Sequence, residues 1–198
     1  MLILISSPEE IARESTLINQ FFDEGLDLLH LRKPENSELG MRALIEKIDS
    51  KHHKKISLHQ HHHLAGNYGI ERLHFSERLR LEMKDEIAAS LKNKGFQLST
   101  SVHNMEDLRL LDDSFGYSFI GPVFDSISKP GYTAKVERSG SIFRGNIKTV
   151  AIGGIKGSNV HELKGHFHGI AILGAIWCSP SALNSFIHIR NLWNTKDQ

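Results

Sequence analysis

Two hydroxyls and a lysine stand together in the segment Ser126-Ile127-Ser128-Lys129-Pro130-Gly131, directly after the apolar residues Phe119, Ile120, Val123 and Phe124. Hydroxyls, backbone N–H groups and a cation on a loop closed by Pro-Gly suit the oxygens of a phosphate or pyrophosphate. Taken alone, the loop reads first as a solvated turn. Related chemistry recurs along the chain, each time at the end of an apolar run. His30, Arg32 and Lys33 close one run, and His59 and Gln60 close another. Glu77 follows a third, and Ser101 and His103 end a fourth. An unperturbed imidazole suits acid–base work near neutrality, so His30 and His103 are expected candidates for it. Gly153-Gly154 and Gly174-Ala175 end the last two runs, where a backbone without Cβ atoms can approach a phosphate closely.

The apolar runs read as strands and the segments between them as helices. Strands are expected over residues 1–6, 28–32, 55–59, 72–75 and 96–102, then through Phe119–Phe124, and over 149–154 and 169–174. Ile11, Leu17, Ile18, Phe21 and Phe22 share a helical face, and Gly25 stops that helix. Met41, Leu44, Ile45 and Ile48 repeat the spacing, and a short helix fits 62–67. A charged helix is expected over about 83–93 with Gly95 as its cap, and Met105, Leu108 and Leu111 mark another. The crossover over 132–146 looks irregular, and Leu183, Phe186 and Ile187 begin the closing helix.

Eight strands, each with a crossover behind it, predict a compact α/β (β/α)₈ TIM barrel, one domain over residues 1–198. An open doubly wound sheet is the competing layout. It usually carries a glycine-rich fingerprint after its first strand, and here that strand runs into Ser6-Ser7-Pro8. In a barrel all the polar strand ends share one rim, and that rim would be cationic, as a phosphorylated small-molecule substrate requires.

Hydrophobic residues make up 39% of the 198-residue chain and charged residues 24%, the balance of a globular protein. The formal net charge of +1 argues against a nucleic-acid or membrane surface. A single cysteine, Cys178, cannot close an internal disulfide, and the apolar run at residues 1–5 is too short for a signal peptide. A cytoplasmic protein is expected. The 13 histidines include His52-His53 and His61-His62-His63. Adjacent loop histidines cannot all turn to one ion, so they read as solvated, and no tight metal site is expected.

Four segments, in order, resemble the thiamine phosphate synthase / thiazole tautomerase family. They are Ser101-Val102-His103, Gly121-Pro122-Val123-Phe124 with Ser126, Ser128 and Lys129, Val150-Ala151-Ile152-Gly153-Gly154-Ile155, and Gly169 through Ile176. The resemblance implies a small barrel, often a homodimer, that binds a thiazole phosphate. In the synthase, hydroxymethylpyrimidine pyrophosphate loses pyrophosphate with help from Mg2+, and the thiazole nitrogen attacks the methylene carbon. Carried over, Arg32, Ser126, Ser128 and Lys129 would hold pyrophosphate, with Mg2+ bound weakly through it. Gly153, Gly154, Gly174 and Ala175 would hold the thiazole phosphate. Lys129, His103 and Arg32 are the expected catalytic residues. His30, Lys33, His59, Gln60 and Ser101 join the substrate-binding set.

The chain departs from the family pattern at four places. The family's Gln-Leu-Arg-x-Lys is His30-Leu31-Arg32-Lys33-Pro34 here, so its lysine is missing or displaced to Lys33. His59-Gln60 stands where the family has Asn-Asp, which removes a magnesium carboxylate. Glu77 is a poor match for the second metal carboxylate. Pro122 stands where a tautomerase carries its acid/base histidine. Synthase chemistry is therefore the first expectation. A tautomerase acting on carboxythiazole phosphate, and a non-catalytic barrel that binds a thiamine precursor, are the alternatives.

Overall fold

The computed structural model describes residues 1–125 and 145–195. Ser126, Ser128 and Lys129 lie outside the described residues, as does nearly all of the 132–146 crossover. The chain runs β1 (Leu2–Ile5), α1 (Glu14–Asp23), β2 (Leu28–Leu31), α2 (Glu38–Glu46) and β3 (Ile56–Leu58). It continues through α3 (Ala65–Tyr68), β4 (Arg72–Phe75), α4 (Glu77–Glu82), α5 (Asp85–Asn93) and β5 (Gln97–Val102). Then come α6 (Met105–Arg109), β6 (Phe115–Ile120), β7 (Lys148–Ile152), β8 (Gly169–Ile172), α7 (Gly174–Trp177) and α8 (Ala182–Asn194). The strands pair in sequence order, all parallel, and β8 returns to β1, so the sheet closes into the expected barrel. No helix among the described residues is long and apolar enough to cross a membrane.

Alternation along each strand divides the apolar residues into two layers. Ile3, Ile5, Leu28, Tyr117, Phe119, Val150 and Ala171 form the cluster inside the barrel. Leu2, Leu4, Leu29, Leu31, Leu58 and Leu73 point outward and pack with Phe21 of α1, Met41 and Ile45 of α2 and Phe186 of α8. Gly25 and Gly95 end their helices at φ +89° and +91°, a left-handed conformation that glycine adopts without strain.

Two elements differ from the sequence reading. The charged segment holds two helices rather than one. Ser76 Oγ accepts the Leu79 N–H at 3.3 Å, and this cap starts α4 at Glu77, ahead of α5. The sixth strand stops at Ile120. Pro122 has no N–H to give the ladder, and the chain leans over β7 instead. Val123 N–H donates to the Ile152 carbonyl at 3.0 Å, and Phe124 N–H to that of Gly153 at 3.2 Å.

Lys33 follows β2 with outward parity and enters the layer under α1. Its ammonium lies 2.5 Å from Glu14 Oε2 and donates to the Glu9 carbonyl at 2.7 Å. Both side chains are buried. Burial raises the Glu14 carboxyl above its usual range, and Lys33 offsets only part of that rise. A buried pair of this kind gives little net stability while intact, yet removing one partner strands a charge. Lys33→Met is expected to destabilise the fold by about 3–5 kcal/mol in urea unfolding at neutral pH. Lys33→Met/Glu14→Leu should recover most of that loss. A single variant within about 0.5 kcal/mol of wild type would show that Glu14 does not depend on its partner.

Candidate functional site

Strands β2 to β5 fill their side of the barrel with polar groups where the other side is aliphatic. His30 of β2 lies level with Ser57 of β3. Leu58 pairs with Leu73, so the next inward positions, His59 and His74, face each other across β3 and β4. His30 Nδ1 is 2.8 Å from His59 Nε2, and His30 Nε2 is 2.5 Å from the Tyr117 hydroxyl. His59 and His74 stack with ring centroids 4.0 Å apart. His74 Nδ1 lies 3.0 Å from Ser99 Oγ and its Nε2 lies 3.2 Å from Ser101 Oγ. Phe119 packs against both His30 and His74 and marks the border with the apolar half. One ring nitrogen from each of His30, His59 and His74 lies within 4.8 Å of the other two.

Burial dominates the electrostatics of this cluster. It lowers all three imidazoles, His74 to about 3, and the charge of Arg32 adds to the effect on His59 and His74. Burial also raises the Tyr117 hydroxyl to about 12. All four groups are therefore neutral at physiological pH.

The other predicted residues fall into three groups. Arg32 stands exposed at the rim, and its guanidinium has no ion-pair partner among the described residues. His103 shares that rim. Its Nδ1–H donates to the Gly121 carbonyl at 2.9 Å, which leaves Nε2 as the basic nitrogen, 3.7 Å from Glu77 Oε2. Lys33 and Gln60 turn away from the mouth. Lys33 is held by Glu14, while Gln60 accepts the Lys33 N–H at 3.3 Å and donates to its carbonyl, bracing β2 against β3.

The glycines at the mouth have packing duties of their own. A Cβ on Gly153 would lie 2.6 Å from Pro122 Cβ, and one on Gly154 would lie 2.2 Å from the Asp125 carbonyl oxygen. Both have positive φ, +101° and +64°. Gly174 and Ala175 open α7 after β8. Gly153 and Gly154 thus follow β7 beneath the 122–125 segment, and Gly174 and Ala175 follow β8.

Of the histidine runs that the sequence suggests are solvated, His63 is exposed, while His52, His53 and His62 turn inward. His52 stacks on Phe22 at 4.4 Å, and His53 bonds the Tyr68 and Ile48 carbonyls at 2.9 and 3.1 Å. His62 donates to the His74 carbonyl at 3.1 Å. The short 3-10 turns flanking β3 draw these rings inward. Sequence reasoning also passed over His74 and Tyr117. A signal for His74 was present, because Leu29-His30, Leu58-His59 and Leu73-His74 repeat one dipeptide in three successive strands. With leucine outward, each histidine must point in.

The described mouth does not fit a protein-held magnesium ion. Magnesium favours hard oxygen ligands in octahedral array. Gln60 is tied to the Lys33 backbone, and Glu77 faces His103 and Arg80. The one group of potential metal ligands found among the described residues is nitrogenous.

Comparison with known proteins agrees with this fold. The family model described as thiamine monophosphate synthase matches residues 2–176. Among curated proteins, none matches the chain. A thiamine phosphate pyrophosphorylase structure from Bacteroides thetaiotaomicron is 23% identical, with 100% of this chain and 99% of that one aligned at a TM-score of 0.75. Another from Pyrococcus furiosus is 16% identical, covering 97% of this chain and 94% of that one at a TM-score of 0.80. At these identities the structural likeness is one of fold.

The depressed imidazoles fix how stability responds to acid. In the unfolded chain each histidine takes a proton below about pH 6.5. In the folded chain His30, His59 and His74 resist it, so the unfolded state binds more protons and stability falls. Above that pH both states are neutral and the cluster contributes no slope. With EDTA present, the three should together steepen the loss by up to about 4 kcal/mol per pH unit below about pH 6. Urea midpoints at about pH 7.5, 6 and 5 measure this. His74→Gln should flatten the curve, and equal wild-type midpoints across the range would contradict the assigned burial.

Proposed function

The chain belongs to the thiamine monophosphate synthase family, and we propose that it joins hydroxymethylpyrimidine pyrophosphate to thiazole phosphate with release of pyrophosphate. The observation that carries this reading is the family match over residues 2–176. The thiazole phosphate would sit over the backbone at Gly153, Gly154, Gly174 and Ala175. These lie at the ends of the last two strands, where barrels commonly bind phosphate. Arg32 would face the pyrophosphate with a guanidinium that has no ion-pair partner among the described residues. Ser126, Ser128 and Lys129 join it on sequence grounds.

The chemistry needs charge more than proton transfer. The bond from the methylene carbon to the pyrophosphate oxygen breaks, and its electron pair leaves with pyrophosphate. The lone pair of the thiazole nitrogen forms the new carbon–nitrogen bond. Negative charge grows on the leaving group, so fixed cations lower the barrier. Magnesium enters this reading as the counter-ion of the pyrophosphate, since the described mouth does not fit a protein-held ion.

One observation favours a second reading. His103 is pinned through Nδ1 and offers Nε2 as a base, beside the Pro122 position that can give no proton. A tautomerase would use His103 to move a proton on carboxythiazole phosphate. The two readings part in one assay. Wild type should release pyrophosphate when given both synthase substrates and magnesium. Lys129→Ala and Arg32→Ala should each cut turnover by about 10²–10³-fold without loss of helical signal. Conversion of the thiazole tautomer, with no pyrophosphate released at any magnesium concentration, would replace the synthase with the tautomerase. Binding of thiazole phosphate without either turnover would leave the non-catalytic barrel.

A further inference from the structure

Neither reaction above assigns a step to the buried imidazole cluster, and His30 and His59, expected among the substrate-binding residues, bond to each other, and His30 to Tyr117, inside the barrel. We propose that His30, His59 and His74 form a three-nitrogen site for a divalent transition ion of the zinc, cobalt or nickel class, set just inside the barrel mouth. Three imidazoles with an open fourth position are a familiar donor set for such ions and a poor one for magnesium.

The geometry is close to what an ion needs. Metal–nitrogen bonds of about 2.0–2.1 Å in tetrahedral array put the donors about 3.3 Å apart. The observed ring nitrogens bracket that value. His30 Nδ1 and His59 Nε2 are 2.8 Å apart, sharing one proton between two lone pairs, and the whole set falls within 4.8 Å. A metal ion would take the place of that shared proton and draw in His74. The stacked rings of His59 and His74, 25° from parallel, must turn toward each other for their lone pairs to converge.

Outer partners already orient two of the rings. His30 is held through Nε2 by the Tyr117 hydroxyl, which leaves Nδ1 for the ion. His74 is held through Nδ1 by Ser99, and an ion at its Nε2 would displace the Ser101 hydroxyl, 3.2 Å away. Burial keeps all three imidazoles in the neutral form that binds metal. The half-buried His59 lies at the mouth end, so the open coordination position faces the rim. Arg32 nearby opposes a bare cation there, and an anionic oxygen as fourth ligand would offset both charges.

A purely structural core offers a weaker account. Barrel interiors are usually filled with branched aliphatic residues. Here three adjacent strands each supply an imidazole, and hydroxyls of Tyr117, Ser99 and Ser101 satisfy them. The remaining histidines of the 52–63 region bond backbone carbonyls, stack on Phe22 or pair with Glu38, and none joins the cluster.

Chelator-treated, dialysed protein titrated with zinc chloride should take up one equivalent per chain. Cobalt(II) should compete for the same site and give a tetrahedral visible spectrum. His59→Gln and His74→Gln should each weaken zinc binding by more than about tenfold, and Tyr117→Phe by about 10–100-fold through loss of ring orientation. His61→Ala/His63→Ala should bind as wild type. Should the histidine variants fail to fold, X-ray absorption of cobalt-loaded wild type must still show a shell of three imidazoles. Sub-stoichiometric uptake, a metal shell without imidazoles, or binding that survives both histidine replacements would overturn the proposal.

Discussion

Closure of the sheet governs the rest of this molecule. Because β8 pairs with β1 as strictly as β1 pairs with β2, no strand can slip by one residue without exchanging its inner and outer faces. Parity is therefore a global constraint. In Leu29-His30, Leu58-His59 and Leu73-His74 the leucines pack outward against the helices, and each buried leucine contributes about 1.5–3 kcal/mol. Burying a neutral imidazole without hydrogen bonds would cost about 1–3 kcal/mol, and here the bonds are made. Outer apolar packing therefore wins and holds three polar rings inside.

Much of the fold was legible in the sequence, because it rests on alternation and spacing. All eight strands and the barrel order follow from apolar runs separated by helical segments. What escaped were local details of hydrogen bonding. Ser76 starts a helix six residues ahead of the expected turn, and Pro122 ends the sixth strand before Val123 and Phe124. Neither changes hydrophobic periodicity, so periodicity could not reveal them.

The site was less legible, for a related reason. Reading along the chain finds neighbours in sequence, whereas a barrel creates neighbours across strands. His30 and His59 were visible as strand ends, but His74 reads as one polar residue in Arg72-Leu73-His74-Phe75. The opposite error applies to Lys33 and Gln60. Both sit at strand ends with suitable chemistry, yet one neutralises Glu14 and the other braces a backbone. At the mouth, packing by itself demands glycine, since the 121–125 segment lies so close over β7 that Gly153 and Gly154 have no room for a Cβ.

The β1–β8 ladder joins residues that are translated far apart, with Leu2 opposite Ile170 and Leu4 opposite Ile172. On the ribosome, the first strand is made long before its second partner exists. During that interval one edge of β1 is an unpaired template, and the inner faces of the nascent sheet lie open to water. Such late, long-range pairing slows the final step and prolongs exposure to misassociation. The incomplete chain would keep that edge unpaired until the Gly169–Ile172 strand emerges. Stop codons or stalls ahead of that strand would release an open sheet with adhesive edges, rather than a smaller version of the same protein.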